Sequence, residues 1–223
     1  MLRPATIALT AAAALALCAW PGAGAQAKRS TSCERARSTT LLETARVRVY
    51  EISRGPRSSR ATSSYACRKG SSRKPILLFD DGDGPGAAAD FEVLGLRVAY
   101  TLIGCDPTGF GCGSDATVLD LRARRRLSAP AQPEGARETD WEAVRALSSI
   151  GGSLVFASRS PVNASASRPV TDARIAVVGA DRVVRELDRG AAVEADSLAV
   201  ARRAGRPSLF TWRSGGVLRS TEL

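Results

Sequence analysis

The chain has 223 residues and a formal net charge of +10, from 32 Lys and Arg against 22 Asp and Glu. It contains no histidine, which excludes Ser-His-Asp and Cys-His catalytic arrangements and every metal site that needs an imidazole. This length of 223 residues is enough for one domain with a core or for a short array of repeats.

Residues 1–27 have the pattern of a secretory signal peptide. Arg3 supplies a positive start, residues 5–20 are apolar, and small residues follow up to Ala27. Cleavage is expected after Ala25 or Ala27. The apolar run of about 16 residues is shorter than the ~20 that span a bilayer. The sequence therefore predicts a secreted or extracytoplasmic protein with no transmembrane segment after signal removal.

The cysteines that follow the signal segment are even in number, which favours disulfides in an exported protein. They are Cys33, Cys67, Cys105 and Cys112. The stretch CDPTGFGC (105–112) is rich in turn residues and folds back easily, so we expect Cys105 to pair with Cys112. Cys33 and Cys67 then remain to form a second disulfide, which would fix the mature N-terminus to the rest of the domain. A zinc site made of all four thiolates is the alternative, although the chain has no close CxxC pair.

Short strands dominate the rest of the chain. In chain order they are VRVYEI (47–52), KPILLF (74–79), LRVAYTLI (96–103), ATVLDL (116–121), GSLVFAS (152–158), ARIAVV (173–178), RVVREL (182–187) and SLFTW (208–212). Pieces rich in Gly, Pro and Ser separate them, which predicts an all-β fold. The segment TDWEAVRALSSIGG (139–152) instead carries helix signals, with Thr139 or Asp140 as a cap and Gly151 as a stop.

An internal repeat resolves this conflict. Residues 91–100 match residues 147–156 at a shift of 56, so that Tyr100 meets Phe156, and the same shift leads to Trp212. The pattern predicts repeats near 45–90, 91–130, 140–190 and 191–223 within a single domain over 28–223, a spacing typical of propeller blades. Val144 to Ile150 is then a strand. The three aromatic residues occupy equivalent positions, which favours core packing over a carbohydrate platform.

The stretches GLRVAY…TVLDLRARRR and GGSLVFAS…RIAVVGADRVVRELDRG resemble the secreted β-propeller-type repeat proteins of actinobacteria, the WD-repeat-like and TolB-like class. The resemblance covers about residues 45–220, and the family's DLxTGR turn is DLRARRR here, without the glycine. It implies a β-propeller-like array of about three to four imperfect repeats. It also implies an exported, non-catalytic binding or scaffold protein. A β-sandwich is the alternative architecture.

One acidic stretch, DDGDGPGAAADFE (80–92), has the spacing of a calcium loop. Asp81, Asp83 and Glu92 match calcium-ligand positions, whereas Pro85 at the fifth position has no side-chain oxygen. A weak calcium site is one interpretation of this stretch, and a solvated Gly-rich turn is the other. No other cofactor is expected.

The densest basic cluster is RARRR, which contains Arg122, Arg124, Arg125 and Arg126. Such a cluster attracts anionic surfaces and is a candidate docking patch for an anionic cell-wall polymer, while a charged hairpin turn is the structural alternative. Few aromatic residues lie nearby, which disfavours nucleic acid as a partner. An unidentified protein is the other expected kind of partner.

An extracytoplasmic hydrolase is the alternative function. Two carboxylates suffice for glycosidase chemistry, and the sequence offers Asp115 with Asp120, or Glu186 with Asp188. That chemistry requires the two carboxyl groups of a pair to face each other across a cleft.

Overall fold

The computed structural model describes residues 33–55, 61–81, 86–105, 112–134, 141–160, 172–202 and 204–223, with the side chains of Cys105 and Cys112 outside the description. These segments are all-β and contain no helix. They form fifteen strands in four antiparallel sheets, each built from strands consecutive along the chain. The signal segment predicted for residues 1–27 lies outside the described residues.

The four sheets are named A to D in chain order. Sheet A contains β1 (Ser38–Glu43), β2 (Val47–Arg54), β3 (Ala61–Arg68) and β4 (Ile76–Asp80). Sheet B contains β5 (Gly86–Leu94), β6 (Arg97–Cys105), β7 (Cys112–Asp120) and β8 (Arg125–Pro130). Sheet C contains β9 (Glu142–Ser148), β10 (Leu154–Arg159), β11 (Ala173–Val178) and β12 (Val184–Gly190). Sheet D contains β13 (Val193–Ala201), β14 (Leu209–Ser214) and β15 (Val217–Glu222).

The described part of the segment with helix signals contains strand β9, so the prediction of a strand is confirmed, although β9 begins and ends two residues earlier than the predicted Val144 to Ile150. Ala143 and Ala146 of this strand pack in the core between sheets B and C, whereas Leu147 packs in the core between sheets C and D. A strand buried on both faces does not show the simple alternation of a half-buried strand. Tertiary packing therefore overrides the local cap signals.

Apolar cores fill the spaces between successive sheets. The core between A and B contains Val49, Val98 and Leu119, and two comparable cores lie between B and C and between C and D. None of the four sheets closes on itself. Sheets packed face to face in this way are compatible with a β-sandwich.

The aromatic residues of the predicted repeat are core residues, as expected. Tyr100, Phe156 and Trp212 lie on the second strands of sheets B, C and D, and each packs in the core shared with the preceding sheet. All three are almost fully buried. Tyr50, on the second strand of sheet A, faces the opposite side from the core-facing Val49. Each sheet therefore presents an aromatic residue on the same face.

The outer face of sheet A is covered by a disulfide. Cys33 is bonded to Cys67 of β3, with their Cα atoms 5.6 Å apart, which confirms the predicted pairing and deprives a four-cysteine zinc site of two ligands. Both cysteines are buried beside Tyr50. Arg48 donates from Nη1 to the carbonyl oxygen of Cys33 at 2.7 Å. The described segment before β1, which begins at Cys33, is thus fixed over the outer face of sheet A.

No helix within the described segments has both the length and the apolar character needed to cross a bilayer.

Candidate functional site: a basic strip across two sheets

The predicted arginine cluster begins in the turn between β7 and β8. Asp120 starts this turn, and its Oδ1 accepts hydrogen bonds from the backbone N–H groups of Arg122 at 2.8 Å and Ala123 at 2.9 Å. Aspartate favours such turns because its side chain replaces a backbone acceptor. Arg124 has a φ of 55° and stands where the DLxTGR pattern has glycine. The turn between β7 and β8 therefore forms with arginine in the left-handed position.

Three arginine side chains join β8 and the turn before it to β4 and the connection that precedes β4. Arg73 Nη1 donates to the carbonyl oxygen of Arg122 at 3.2 Å, and Arg124 Nη1 donates to that of Lys74 at 3.1 Å. Arg126 Nη2 donates to the carbonyl oxygen of Leu77. The two turns occupy the same place in sheets A and B, between the third and fourth strands. Packing of the sheets therefore places two basic stretches of the sequence side by side.

We call the resulting surface the basic strip. It consists of Arg68, Arg73, Lys74, Arg122, Arg124, Arg125 and Arg126. All seven side chains are exposed. The acceptors of the three joining hydrogen bonds are neutral backbone oxygens, so these bonds orient the guanidinium groups without reducing their charge. The strip is a concentrated positive surface.

The carboxylates next to the strip are already engaged. The Oδ1 of Asp120 caps its own turn, and its Oδ2 lies 3.6 Å from the Nε of Arg97. Glu43 forms an ion pair with Lys69, and this hydrogen bond lowers the pKa of the Glu43 carboxyl below its ordinary value. These two carboxylates are therefore engaged by Lys69 and Arg97, which lie outside the strip.

A shallow groove separates the two turns. Its described lining combines apolar groups, including Ala66, Ile76 and Leu121, with the side chains of Arg68 and Arg124. The described lining contains no aromatic ring on which a base would stack. This lining suits the charged backbone of a polymer better than a nucleobase.

The sequence indicated only half of the strip. Arg122, Arg124, Arg125 and Arg126 were predicted as a docking patch, whereas RKGSSRK (68–74) has the composition of an ordinary basic turn. The structure also corrects the extent of the predicted charged turn, because Arg125 and Arg126 belong to strand β8. A signal for the missing half exists, since the two basic stretches lie about one repeat apart.

The predicted calcium ligands are distributed over separate elements. Asp81 Oδ1 accepts a hydrogen bond from the Thr62 N–H at 2.7 Å, and Glu92 forms an ion pair with Arg202. Glu92 lies in β5, about 20 Å along the strand from Gly86. Asp83 is outside the described residues, within which no group of three His, Cys, Asp or Glu is arranged to hold a metal. The three-carboxylate site stays a prediction.

The two carboxylate pairs are separated in the fold. Asp115 and Asp120 are five residues apart on one strand and so point to opposite faces of sheet B. In β12 a bulge pairs Glu186 with Ala176 but Asp188 with Ile175, which places Glu186 toward sheet B and Asp188 toward sheet D. Asp188 there accepts a hydrogen bond from Trp212. Neither pair faces a shared cleft.

No protein family model matches the chain, and neither a curated protein nor a solved structure matches it at a significant level.

Proposed function

We propose that this is an exported, non-catalytic binding or scaffold protein that docks on an anionic polymer through the basic strip. One observation carries the proposal: two basic turns of neighbouring sheets are joined through neutral carbonyl oxygens, so seven exposed cations form one surface. Anionic wall polymers outside the cell are the matching chemistry, because they present repeated charges along a flexible chain.

Export is supported by the signal pattern of residues 1–27 and by the disulfide between Cys33 and Cys67. Disulfides persist in oxidising compartments outside the cytoplasm. The strip would therefore meet polymers of the cell surface rather than intracellular polyanions.

A propeller-like repeat array is the architecture that we propose for the scaffold. Each sheet is a meander of consecutive strands, and Tyr50, Tyr100, Phe156 and Trp212 sit at corresponding places in successive sheets. In such an array the equivalent turns of neighbouring units lie next to each other. This arrangement accounts for a binding surface made from the same turn of two units.

Binding of this kind depends strongly on salt. The Debye length is ~10 Å at 0.1 M ionic strength and ~3 Å at 1 M, so charges spread along a strip act together only at low salt. Since no described aromatic residue lines the groove, little affinity is expected to survive at high salt. We expect binding to be insensitive to the covalent identity of the polymer and sensitive to its charge density.

The experiment uses the chain from residue 28 onward and fluorescently labelled polyphosphate, with neutral dextran as the control polymer. The test variant combines Arg122→Gln, Arg124→Gly and Arg125→Gln. The control variant combines Arg182→Gly, Arg206→Gln and Arg213→Gln, three exposed arginines on sheets C and D. Both variants lose the same net charge, and Arg124→Gly and Arg182→Gly both replace an arginine at positive φ.

The expected result, by fluorescence anisotropy in 50 mM salt, is a loss of affinity of at least about tenfold for the test variant and less than about threefold for the control. Affinity should fall steeply in 300 mM salt, and dextran should not bind. Equal losses for the two variants would mean that only overall charge attracts the polymer, and the assignment to the strip would be wrong.

A further inference from the structure

A cleft with a volume of about 590 Å³ opens between sheets B and C, away from the basic strip. One wall is the outer strand β12 with its neighbour β11, and the other is the segment that follows β8, from Pro130 to Glu134. Its volume lies in the range of small-molecule sites. Among the described residues, the charged side chains that line the cleft are Arg174, Arg189, Glu134 and Glu186.

Arg174 is built into the wall of this cleft. Its residue is only 3% exposed, and its Nε donates to the carbonyl oxygen of Ala131 at 3.1 Å and to Ser158 Oγ at 3.2 Å. Its Nη2 donates to the carbonyl oxygen of Pro130 at 2.7 Å, and its guanidinium carbon lies 5.2 Å from the ring centroid of Phe156. The side chain is therefore fixed before any ligand arrives.

The charge of Arg174 is not matched by a partner within the described part of the chain. Its recorded acceptors are neutral oxygens, and no described carboxylate lies within ion-pair distance of it. The pKa of the Arg174 guanidinium is lowered to about 10, chiefly by burial, while Glu186 opposes the shift and nearby Arg189 adds to it. A buried cation in this state is stabilised by any anion that enters the cleft.

A second arginine lies directly opposite the first. Arg174 of β11 and Arg189 of β12 are cross-strand partners in the antiparallel register. Like charges in directly opposed positions destabilise a sheet, and although Asp172 offsets the charge of Arg189, an anion bound between the two arginines would offset both. The Nε of Arg189 forms an ion pair with Asp172 Oδ2 at 3.1 Å, and its guanidinium carbon lies 5.6 Å from the ring centroid of Trp141. Both arginine side chains line the same cleft, and each is held in place by its own contacts.

Two acidic residues, Glu186 and Glu134, line the cleft at a distance from the arginine pair. Glu186 pairs with Ala176, two residues along β11 from Arg174 and on the same face, so its backbone lies about 6–7 Å from the arginine pair. Glu134 is on the opposite wall, and both carboxylates are exposed. They repel a polyanion but attract an ammonium group. The cleft is therefore charged at two separate points, of opposite sign.

From this geometry we propose that the cleft binds a small zwitterionic ligand of the short-peptide class, with its carboxylate on Arg174 and Arg189 and its ammonium group toward Glu186. An extended dipeptide has about the required separation between its termini. This site is independent of the polymer-docking function, because none of its residues belongs to the basic strip.

Isothermal titration of the chain from residue 28 onward with glycylglycine and with N-acetylglycine tests the proposal. Glycylglycine should bind, and N-acetylglycine, which lacks the ammonium group, should bind at least about tenfold more weakly. Arg189→Gln should weaken glycylglycine binding by about tenfold or more. The matched control, Arg185→Gln, changes the other face of the same strand and should leave the affinity unchanged.

Glu186→Gln provides a readout that a structural role would not move. It should remove the preference for glycylglycine over N-acetylglycine while leaving the binding of N-acetylglycine intact. Absence of glycylglycine binding at 10 mM ligand, or about equal affinity of the two ligands for the unsubstituted protein, would overturn the proposal. An equal loss with Arg185→Gln and Arg189→Gln would also overturn it.

Discussion

Arg124 and Lys74 are 50 residues apart in the sequence, and the Nη1 of Arg124 donates a hydrogen bond of 3.1 Å to the carbonyl oxygen of Lys74. The separation is close to one repeat, so the contact joins the same turn of two successive sheets. The equivalent turn of sheet C contains Arg182, where Asp181 forms an ion pair with Arg185. The positive surface is therefore concentrated on sheets A and B, although arginine is present in the turns of all three sheets.

Arg124→Gly and Arg182→Gly should separate the effect of backbone strain from that of charge. Both arginines have φ near +60°, a conformation that costs an L-residue roughly 1 kcal/mol more than glycine. Arg182→Gly should raise the free energy of unfolding by up to about 1 kcal/mol. Arg124→Gly should gain less, because it also loses the hydrogen bond to Lys74. Urea denaturation measures the free energy of unfolding of both variants. A decrease of more than about 1 kcal/mol for Arg182→Gly would contradict the strain argument.

Tyr100→Phe should stabilise the protein. The Tyr100 hydroxyl is buried without a hydrogen-bond partner among the described residues, and burial raises its pKa. Removing an unsatisfied buried hydroxyl is expected to gain about 1 kcal/mol. Phenylalanine already occupies the corresponding place in sheet C, at Phe156. In contrast, Phe156→Ala should lose about 3–5 kcal/mol, and thermal denaturation of both variants would show opposite shifts in Tm.

The strands that the sequence predicts are those whose apolar residues alternate or run together. Strands β1, β3, β5, β8, β13 and β15 were missed. Their sequences are STTLLE, ATSSYACR, GAAADFEVL, RRLSAP, VEADSLAVA and VLRSTE. All of them except β3 lie at sheet edges, and β5 and β13 also carry bulges that break their registers. Edge strands form because a neighbour supplies backbone hydrogen bonds, and this information is not local to their own residues.

The candidate site could also be predicted from the sequence only in part, because its contacts depend on how the strands and sheets pack. The sequence pointed to Arg122 through Arg126 because the charges are contiguous, but the contact of Arg73 with the carbonyl oxygen of Arg122 depends on how sheets A and B pack. The cleft was missed altogether. Arg174 and Arg189 are 15 residues apart and become neighbours only through the pairing of β11 with β12. A bulge in the same hairpin separates Glu186 from Asp188, which a simple i, i+2 rule would place on one face.

Loss of the disulfide should uncover the outer face of sheet A. The Cys33–Cys67 bond closes a loop with a sequence separation of 34, and the chain-entropy model assigns such a loop about 4 kcal/mol. The double variant Cys33→Ser and Cys67→Ser should therefore lose about 2–4 kcal/mol and expose the face that carries Tyr50 and Tyr65. Binding of a hydrophobic dye to the native variant would detect that exposure. Unchanged stability would mean that the segment before β1 does not act as a cap.

Cys105 and Cys112 are expected to form the second disulfide. Their backbones are direct partners at the ends of β6 and β7, a position compatible with a cross-strand bond. Peptide mapping of the chain from residue 28 onward without reduction should yield one peptide pair containing Cys105 and Cys112 and another containing Cys33 and Cys67. Alkylation of Cys105 or Cys112 without prior reduction would contradict this expectation.

Glu92 should make stability depend on pH in the direction opposite to that of an ordinary ion pair. Burial raises the pKa of its carboxyl above the ordinary value of 4.5, and the pairing with Arg202 only partly opposes this shift. The folded state therefore favours the protonated form, so the stabilising contribution is complete below pH ~4 and falls as pH rises through the raised pKa. The Glu92→Gln variant has no carboxyl group to deprotonate, so it does not lose stability in this way as pH rises. It should match the parent protein near pH 4 and be more stable at pH 7, by less than about 1 kcal/mol because both partners are partly exposed.

Arg202→Gln provides the complementary variant for Glu92. It leaves the Glu92 carboxylate without its ion-pair partner, with Arg145 and Asp90 as the remaining charges that act on it. The loss of stability between pH 4 and 7 should then be steeper than in the parent protein, because the burial cost is less compensated. Urea denaturation at intervals of half a pH unit measures all three proteins. If Glu92→Gln instead became less stable than the parent as pH rises, the Arg202 interaction would outweigh burial, and sheets B and D would be joined by a stabilising ion pair.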